Sequence, residues 1–329
     1  MAGTGRAIVG VVVTVAVALV LFIVVRGSGG SHPFGVPTSA TPTASATVAS
    51  STAPLGSLAG SAPAAAGARA TSPAPAAPAK AALHASPLSD DASAYLAGRS
   101  GTVIAAVYDI ETGQSWRLGD GVPQDEASVV KLDVLETLLA RQGSGLLAPA
   151  DQVLAQAMIE DSDNDAATSL WDEAGGAGGI GAYNNKAGLT STTPSRCVTC
   201  AGFKWPGWGL STTLPQDQLS LLKQLVVPGR HPLLSAAQRS YALSLMENVK
   251  PDQAWGVSGG VPAGTKVALK NGWLPLTDDN TNWQVNSVGW VHGGGRNYLI
   301  AVLSTGNPTE QYGIDTINGL SSRVWSALG

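Results

Sequence analysis

Ser128 and Lys131 stand three residues apart at the start of an apolar helical stretch, so on a helix they share one face and the amine can reach the hydroxyl. A serine hydroxyl is a poor nucleophile until a base takes its proton, and a lysine that has lost its own proton can be that base. Ser162-Asp163-Asn164 follows, and Lys270-Asn271-Gly272 lies in a strand-like run near the C-terminus. Each motif alone is weak, because Ser-x-x-Lys recurs by chance in a serine-rich chain. Their order points to acyl transfer through a serine. Ser220 and Lys223 form a second Ser-x-x-Lys, but it comes after the triplet and reads as the solvated edge of an amphipathic helix.

Positioning these residues requires helices first and a sheet last. Asp90 to Leu96 reads as a short helix, Thr102 to Ile110 as a β-rich run, Thr112-Gly113 as a hairpin turn and Ser115 to Leu118 as the returning strand. Behind Ser128, residues Val129, Val130, Leu132, Val134, Leu135, Leu138 and Leu139 fit a buried helix. Helical spacing continues over Leu132 to Gln142, Asp151 to Ile159 and Ala166 to Ala174, and the glycines from Gly175 to Gly179 are expected to end it. The stretch from Asn184 to Gly209 reads as loop, and Pro215 to Val227 and Ser235 to Met246 as helices. Strands are expected at Val267 to Trp273, Trp283 to Val291 and Tyr298 to Ser304, before a closing helix with Ile314, Ile317, Leu320, Val324 and Leu328 on one face. The result is an α+β fold of two lobes in which both ends of the chain build one antiparallel sheet, with a cleft between sheet and helical lobe.

The first part of the chain has another character. Ala7 to Val25 is uncharged between Arg6 and Arg26, and as a helix it would reach ~28 Å, enough to cross a bilayer. We expect residues 1–26 to hold a cytoplasmic stub and a single-pass membrane anchor, with a cleaved signal peptide as the alternative. A lipoprotein anchor is not expected, since the first cysteine is Cys197. Residues 27–87 are Ala, Pro, Ser, Thr and Gly with almost no large apolar side chains, a composition that reads as a disordered stalk outside the cell. Residues 88–329 suit one globular domain. A formal net charge of −4 weighs against a nucleic-acid partner. Four histidines and two cysteines leave neither a metal site nor a cofactor expected. Cys197 and Cys200 read as a short-range disulfide, with a redox pair as the minority alternative.

From about Leu88 onward the chain resembles the penicillin-recognising serine enzymes, and within them the class A β-lactamases. The resemblance rests on Ser128-Val-Val-Lys131, Ser162-Asp-Asn164 and Lys270-Asn-Gly272 in that order. It implies that Ser128 is acylated and that Lys131 helps remove its proton. Ser162 would pass a proton to the leaving nitrogen, Asn164 would hold Lys131 and the substrate amide, and Lys270 would put positive charge near Ser162 and the substrate carboxylate. The oxyanion hole would be the backbone N–H groups of Ser128 and Trp273, and Gly272 would leave room for substrate along the strand edge. The implied ligand is a β-lactam or a D-alanyl-D-alanine-like peptide. The alternatives are a cell-wall D,D-peptidase and a binding module that kept the fold without hydrolysis.

Two departures qualify the resemblance. Asn271 replaces the usual Thr or Ser, and its longer amide bears on carboxylate recognition. No glutamate occurs from Ala174 to Met246, where the family carries the one that positions the deacylating water, so weak deacylation is expected. Asp217 in this interval reads as a charge at a helix start. Gly256 to Gly260 and His292 to Gly295 mimic α/β-hydrolase motifs in reversed order and read as glycine turns. The tryptophans read as core, with Trp273 in the cleft if its strand forms.

Overall fold

Continuous runs of buried residues along the central strands show that the sheet is covered on both faces. In a computed structural model that describes residues 83–329 except 198, 201, 202, 205 and 277–279, α1 (Asp90–Ala97) precedes β1 (Thr102–Asp109) and β2 (Ser115–Leu118). After the short β3 (Gln124–Asp125) come α2 (Val130–Arg141), α3 (Pro149–Glu160), α4 (Asn164–Glu173) and α5 (Gly176–Ala187). Then follow β4 (Thr212–Thr213), α6 (Pro215–Val226), α7 (Ala236–Glu247), β5 (Lys266–Pro275), β6 (Trp283–Gly293), β7 (Arg296–Asn307) and α8 (Glu310–Ala327).

Five strands form one antiparallel sheet in the order β2-β1-β7-β6-β5. Thr102 of β1 faces Thr305 of β7, so the two ends of the domain meet in mid-sheet, as expected from the sequence. Alternate residues face opposite sides of a pleated strand. Ala106, Leu299 and Ala301 accordingly join the core beneath the helical lobe, and Ala105, Val107, Ile300 and Val302 join the core under α8. Both cores are apolar, so the sheet is held from both faces and β5, at its edge, is left to border the cleft.

The glycine run does not end the helical lobe. Gly175 has a left-handed backbone (φ 89°) that closes α4 and turns the chain into α5, which starts at Gly176. Glycine is a poor helix former, and packing overrides it here. Ile180 is buried, the Tyr183 hydroxyl donates to Glu136 Oε2 at 2.6 Å, and Asn184 Nδ2 donates to Asp133 Oδ2 at 2.8 Å, all toward α2.

The expected anchor and most of the expected stalk lie outside the described residues. Pro87 is already buried, and His84 exchanges hydrogen bonds of 2.7 and 3.0 Å with Gln114. Among the described residues, contacts therefore extend at least four residues ahead of Leu88.

Candidate active site

The nucleophile's turn is built by close approach of the sheet edge. Ala127–Val129 forms a 3₁₀ turn that runs into α2. Ala127 takes a left-handed φ of 48°, a conformation that non-glycine residues hold only when their surroundings enforce it. The enforcing contacts are visible: Asn286 Nδ2 on β6 donates to the carbonyls of Asp125 and Glu126 at 2.8 and 2.9 Å. Gly272 on β5 presses on the same turn, where a Cβ would lie 2.5 Å from Ser128 N and 2.7 Å from Val129 N. Its missing side chain thus brings the strand against the backbone of Ser128.

Lys131 points from α2 to the segment that begins α4. Its Nζ donates to Ser162 O, to Ser162 Oγ at 3.2 Å and to Asn164 Oδ1 at 2.9 Å. Asp163 caps α4 by accepting from Ala166 N at 2.7 Å, which leaves Ser162 just outside the helix with φ 56°. From β5, Lys270 Nζ donates to the same Ser162 Oγ at 2.9 Å and to Asn271 O at 3.0 Å. Ser128, Ser162, Asn164 and Trp273 line the cleft directly. Among the described residues no hydrogen bond joins Ser128 Oγ to Lys131, whose amine the Ser162 segment holds instead.

Both amines are buried, which disfavours their charged forms. Burial first, then the charge of Lys270, holds Lys131 well below the ordinary lysine range, against a smaller opposing pull from Asp163. Burial takes Lys270 down to about 7. Beneath the turn, Glu126 is buried and its carboxyl raised well above the usual range, chiefly by desolvation and then by Asp133. Desolvation takes Asp133 to about 7, and the Asn184 hydrogen bond opposes it.

Asn271 turns away from the cleft. Its Nδ2 donates to Gln253 O at 2.7 Å and to Trp255 O at 3.0 Å, so both amide hydrogens are spent on backbone and neither remains for a substrate. Trp255 then packs on Trp273 with ring centroids 5.8 Å apart.

The described cleft wall is mostly neutral. Pro206, Trp208, Gly209, Gln253, Trp273 and Leu274 contribute to it, and Asp161 is the carboxylate among its described residues. Trp208 takes the ground beside the lysine: its ring centroid is 5.0 Å from Lys131 Nζ, and its Nε1 donates to Thr168 Oγ1 at 3.0 Å. A Cys197–Cys200 disulfide braces this loop, and Gly207 fits only without a Cβ, which would fall 2.6 Å from Cys200 Sγ. Asp217 accepts from Ser191 N at 2.6 Å and Thr192 Oγ1 at 2.9 Å, tying the loop to the first turn of α6. The second Ser-x-x-Lys is elsewhere and half-buried, not a solvated edge: Lys223 lies 3.6 Å over the Tyr108 ring and Ser220 Oγ bonds Gln216 O. Sequence reading missed Trp208 and Gln253 as cleft residues. The absent glutamate was a signal, but nothing in it pointed to the indole that packs beside Lys131.

A sequence model of the beta-lactamase enzyme family matches residues 152–328. The chain belongs to that family. The match takes in Ser162, Asn164 and Lys270, while Ser128 and Lys131 precede it. A curated relative named "Putative lipoprotein LppW", from Mycobacterium tuberculosis and Mycobacterium bovis, is 28% identical over 219 residues, covering 63% of this chain and 64% of that protein. The chain thus spans somewhat under two thirds of the curated relatives it matches. Among solved structures, the TLA-1 extended-spectrum β-lactamase superposes with a TM-score of 0.63 at 18% identity, over 73% of this chain and 98% of that one. A class A β-lactamase from Mycobacterium abscessus gives 0.59 at 20% identity, over 72% and 98%. The fold is class A β-lactamase-like.

Proposed function

We propose that this chain is a membrane-anchored, outward-facing serine hydrolase whose Ser128 is acylated by β-lactams and releases the acyl group slowly. The observation that carries the reading is the convergence of Lys131 and Lys270 on Ser162 Oγ beside Ser128. In this scheme a neutral Lys131 takes the Ser128 proton as Oγ bonds to the lactam carbonyl carbon. The oxyanion develops against the backbone N–H groups of Ser128 and Trp273, near a helix N-terminus whose dipole favours it. The C–N bond breaks, and the nitrogen receives a proton from the Ser162 hydroxyl, which either amine can resupply.

Deacylation needs a second base to activate water. Asp161, the carboxylate on the described wall, lies 3.9 Å from Lys250 and outside the hydrogen bonds of the lysine cluster. Losing a general base typically costs on the order of 100 to 10,000-fold. The charge-free run from Ala7 to Val25 supports membrane association, as does the name of the mycobacterial relative.

Intact-protein mass spectrometry after mixing with benzylpenicillin tests the reading. A covalent adduct that persists for minutes, maps to the Ser128 peptide and vanishes in Ser128→Ala, but not in Ser220→Ala, is expected. Many turnovers per second without an adduct would make this a working β-lactamase, and no adduct with any acylating probe would leave a non-catalytic binding module.

A further inference from the structure

The lifetime of an acyl-enzyme depends on where water can stand as much as on which base is present. Lys131 is 0% exposed, while Trp208, itself only 3% exposed, lines the cleft with its ring centroid 5.0 Å from Lys131 Nζ. The indole therefore borders both the buried amine and the cleft. On its other sides the amine is taken up by hydrogen bonds to Ser162 and Asn164. A water needs room and polar partners to settle in a protein interior, and the face of an indole offers neither.

The ring is held in place by the segment that holds the amine. Trp208 Nε1 donates to Thr168 Oγ1 at 3.0 Å, and that hydroxyl donates in turn to Asn164 O at 2.8 Å, the residue whose Oδ1 accepts from Lys131. Ser211 Oγ donates to Trp208 O at 2.7 Å. Gly207 next to it lies so close to the Cys197 carbonyl and Cys200 Sγ that no Cβ would fit. Indole and amine thus form one packed unit.

We propose that Trp208 prolongs the acyl-enzyme by keeping water off Lys131, so that the amine that serves acylation does not serve hydrolysis. This rests on the acyl-enzyme reading above and names the residue that sets its lifetime. Once the leaving nitrogen has carried the Ser128 proton away, Lys131 is neutral again. A water admitted to Nζ would pass it a proton as the water oxygen bonds to the ester carbonyl carbon, and the C–Oγ bond would then break with the proton returned to Ser128 Oγ. The same seal keeps the amine dry: desolvation is the chief cause that holds Lys131 below the ordinary lysine range, ahead of Lys270 from β5 and against Asp163 at the start of α4. Trp208 is a positioning residue that acts through Lys131 and takes no part in the bond changes.

Adduct decay tests it. The full-length chain is acylated with benzylpenicillin, the excess is removed, and loss of the adduct is followed by intact-protein mass spectrometry. Trp208→Ala should shorten the lifetime about tenfold, a fraction of what a general base is worth. Trp208→Phe keeps an aromatic cover and should retain most of it. Acylation should move the other way: a wetted amine holds its proton more tightly, so in Trp208→Ala the rise of acylation with pH should shift to higher pH. A merely loosened fold would slow acylation without that shift. Trp208→Leu leaves a smaller void and should show the same changes to a lesser degree, which covers an alanine variant that fails to fold. Native lifetimes in the alanine or leucine variant, or a phenylalanine variant as short-lived as the alanine one, overturn the inference alone. If no adduct forms on Ser128 of the native chain, the proposed acyl-enzyme falls, and this inference falls with it.

Discussion

The two lysines meet at one hydroxyl yet differ in what they are asked to do. Lys131 must be neutral to accept the Ser128 proton, and its burial beside a second amine favours that form. Lys270 can serve as a charge near Ser162 only while protonated, and burial brings that limit down to about 7. Lys131→Arg should therefore lower penicillin acylation by at least ~100-fold, since a guanidinium stays charged and cannot act as base. Lys270→Arg keeps the charge and should cost less. Acylation by the native chain should decline as pH rises above about 7, and Lys270→Arg should remove that decline. Stopped-flow acylation profiles of both variants check this, and equal losses with parallel profiles would refute the division of roles. At this scale the sequence was informative about Ser128, Lys131, Ser162, Asn164 and Lys270 because fixed spacing puts short motifs on element ends. It misplaced Asn271, read as a substrate-binding amide, because its side-chain direction depends on the turn carrying Gln253 and Trp255 that packs behind β5.

Helix α2 carries both chemistry and an electrostatic load. Asp133 and Glu136 on it, and Glu126 before it, are buried with neutral partners such as Gln218, Asn184 and Tyr183. For Asp133 the folded state holds the carboxyl up to about 7 against 3.8 unfolded. A raised carboxyl means that the folded state binds the proton more tightly, so stability is fully present below the unfolded value and is lost as pH rises toward 7. Asp133→Asn mimics the protonated form. Its melting temperature should exceed that of the native chain by a margin that grows between pH 4 and 7, and a constant margin in thermal denaturation across that range would exclude the linkage. These acids also mark what pattern could not reveal. The glycine run that opens α5 read as a terminator because glycine's low helix propensity is local, whereas Tyr183 and Asn184 anchor that helix to Glu136 and Asp133 across the lobe. The sheet, by contrast, was legible strand by strand, since β1, β6 and β7 place β-branched and apolar residues in buried runs between clear glycine turns.

For the whole molecule, the question is where the folded domain begins and whether it needs what precedes it. Composition put the boundary at Leu88, where large apolar residues resume, but composition does not register backbone pairing by polar residues. His84 pairs with Gln114 through two hydrogen bonds and sits 3.6 Å from Asp109, and Pro87 and Leu88 are buried. A chain beginning at Leu83 keeps these contacts. It should be soluble, melt cooperatively and react with penicillin at the full-length rate, because Ser128, Lys131, Ser162, Asn164 and Lys270 all lie within it. A chain beginning at Leu88 loses two partly exposed hydrogen bonds, each worth about 0.5–1.5 kcal/mol. It should melt a few degrees lower with its acylation rate unchanged, since the lost contacts are to Gln114 at the β2 side of the sheet while the cleft borders β5 at the other edge. Calorimetry and acylation kinetics on the two fragments decide the matter. Equal melting temperatures would return the boundary to Leu88, and a fall in acylation with stability retained would show that residues ahead of Leu83 contribute to the site.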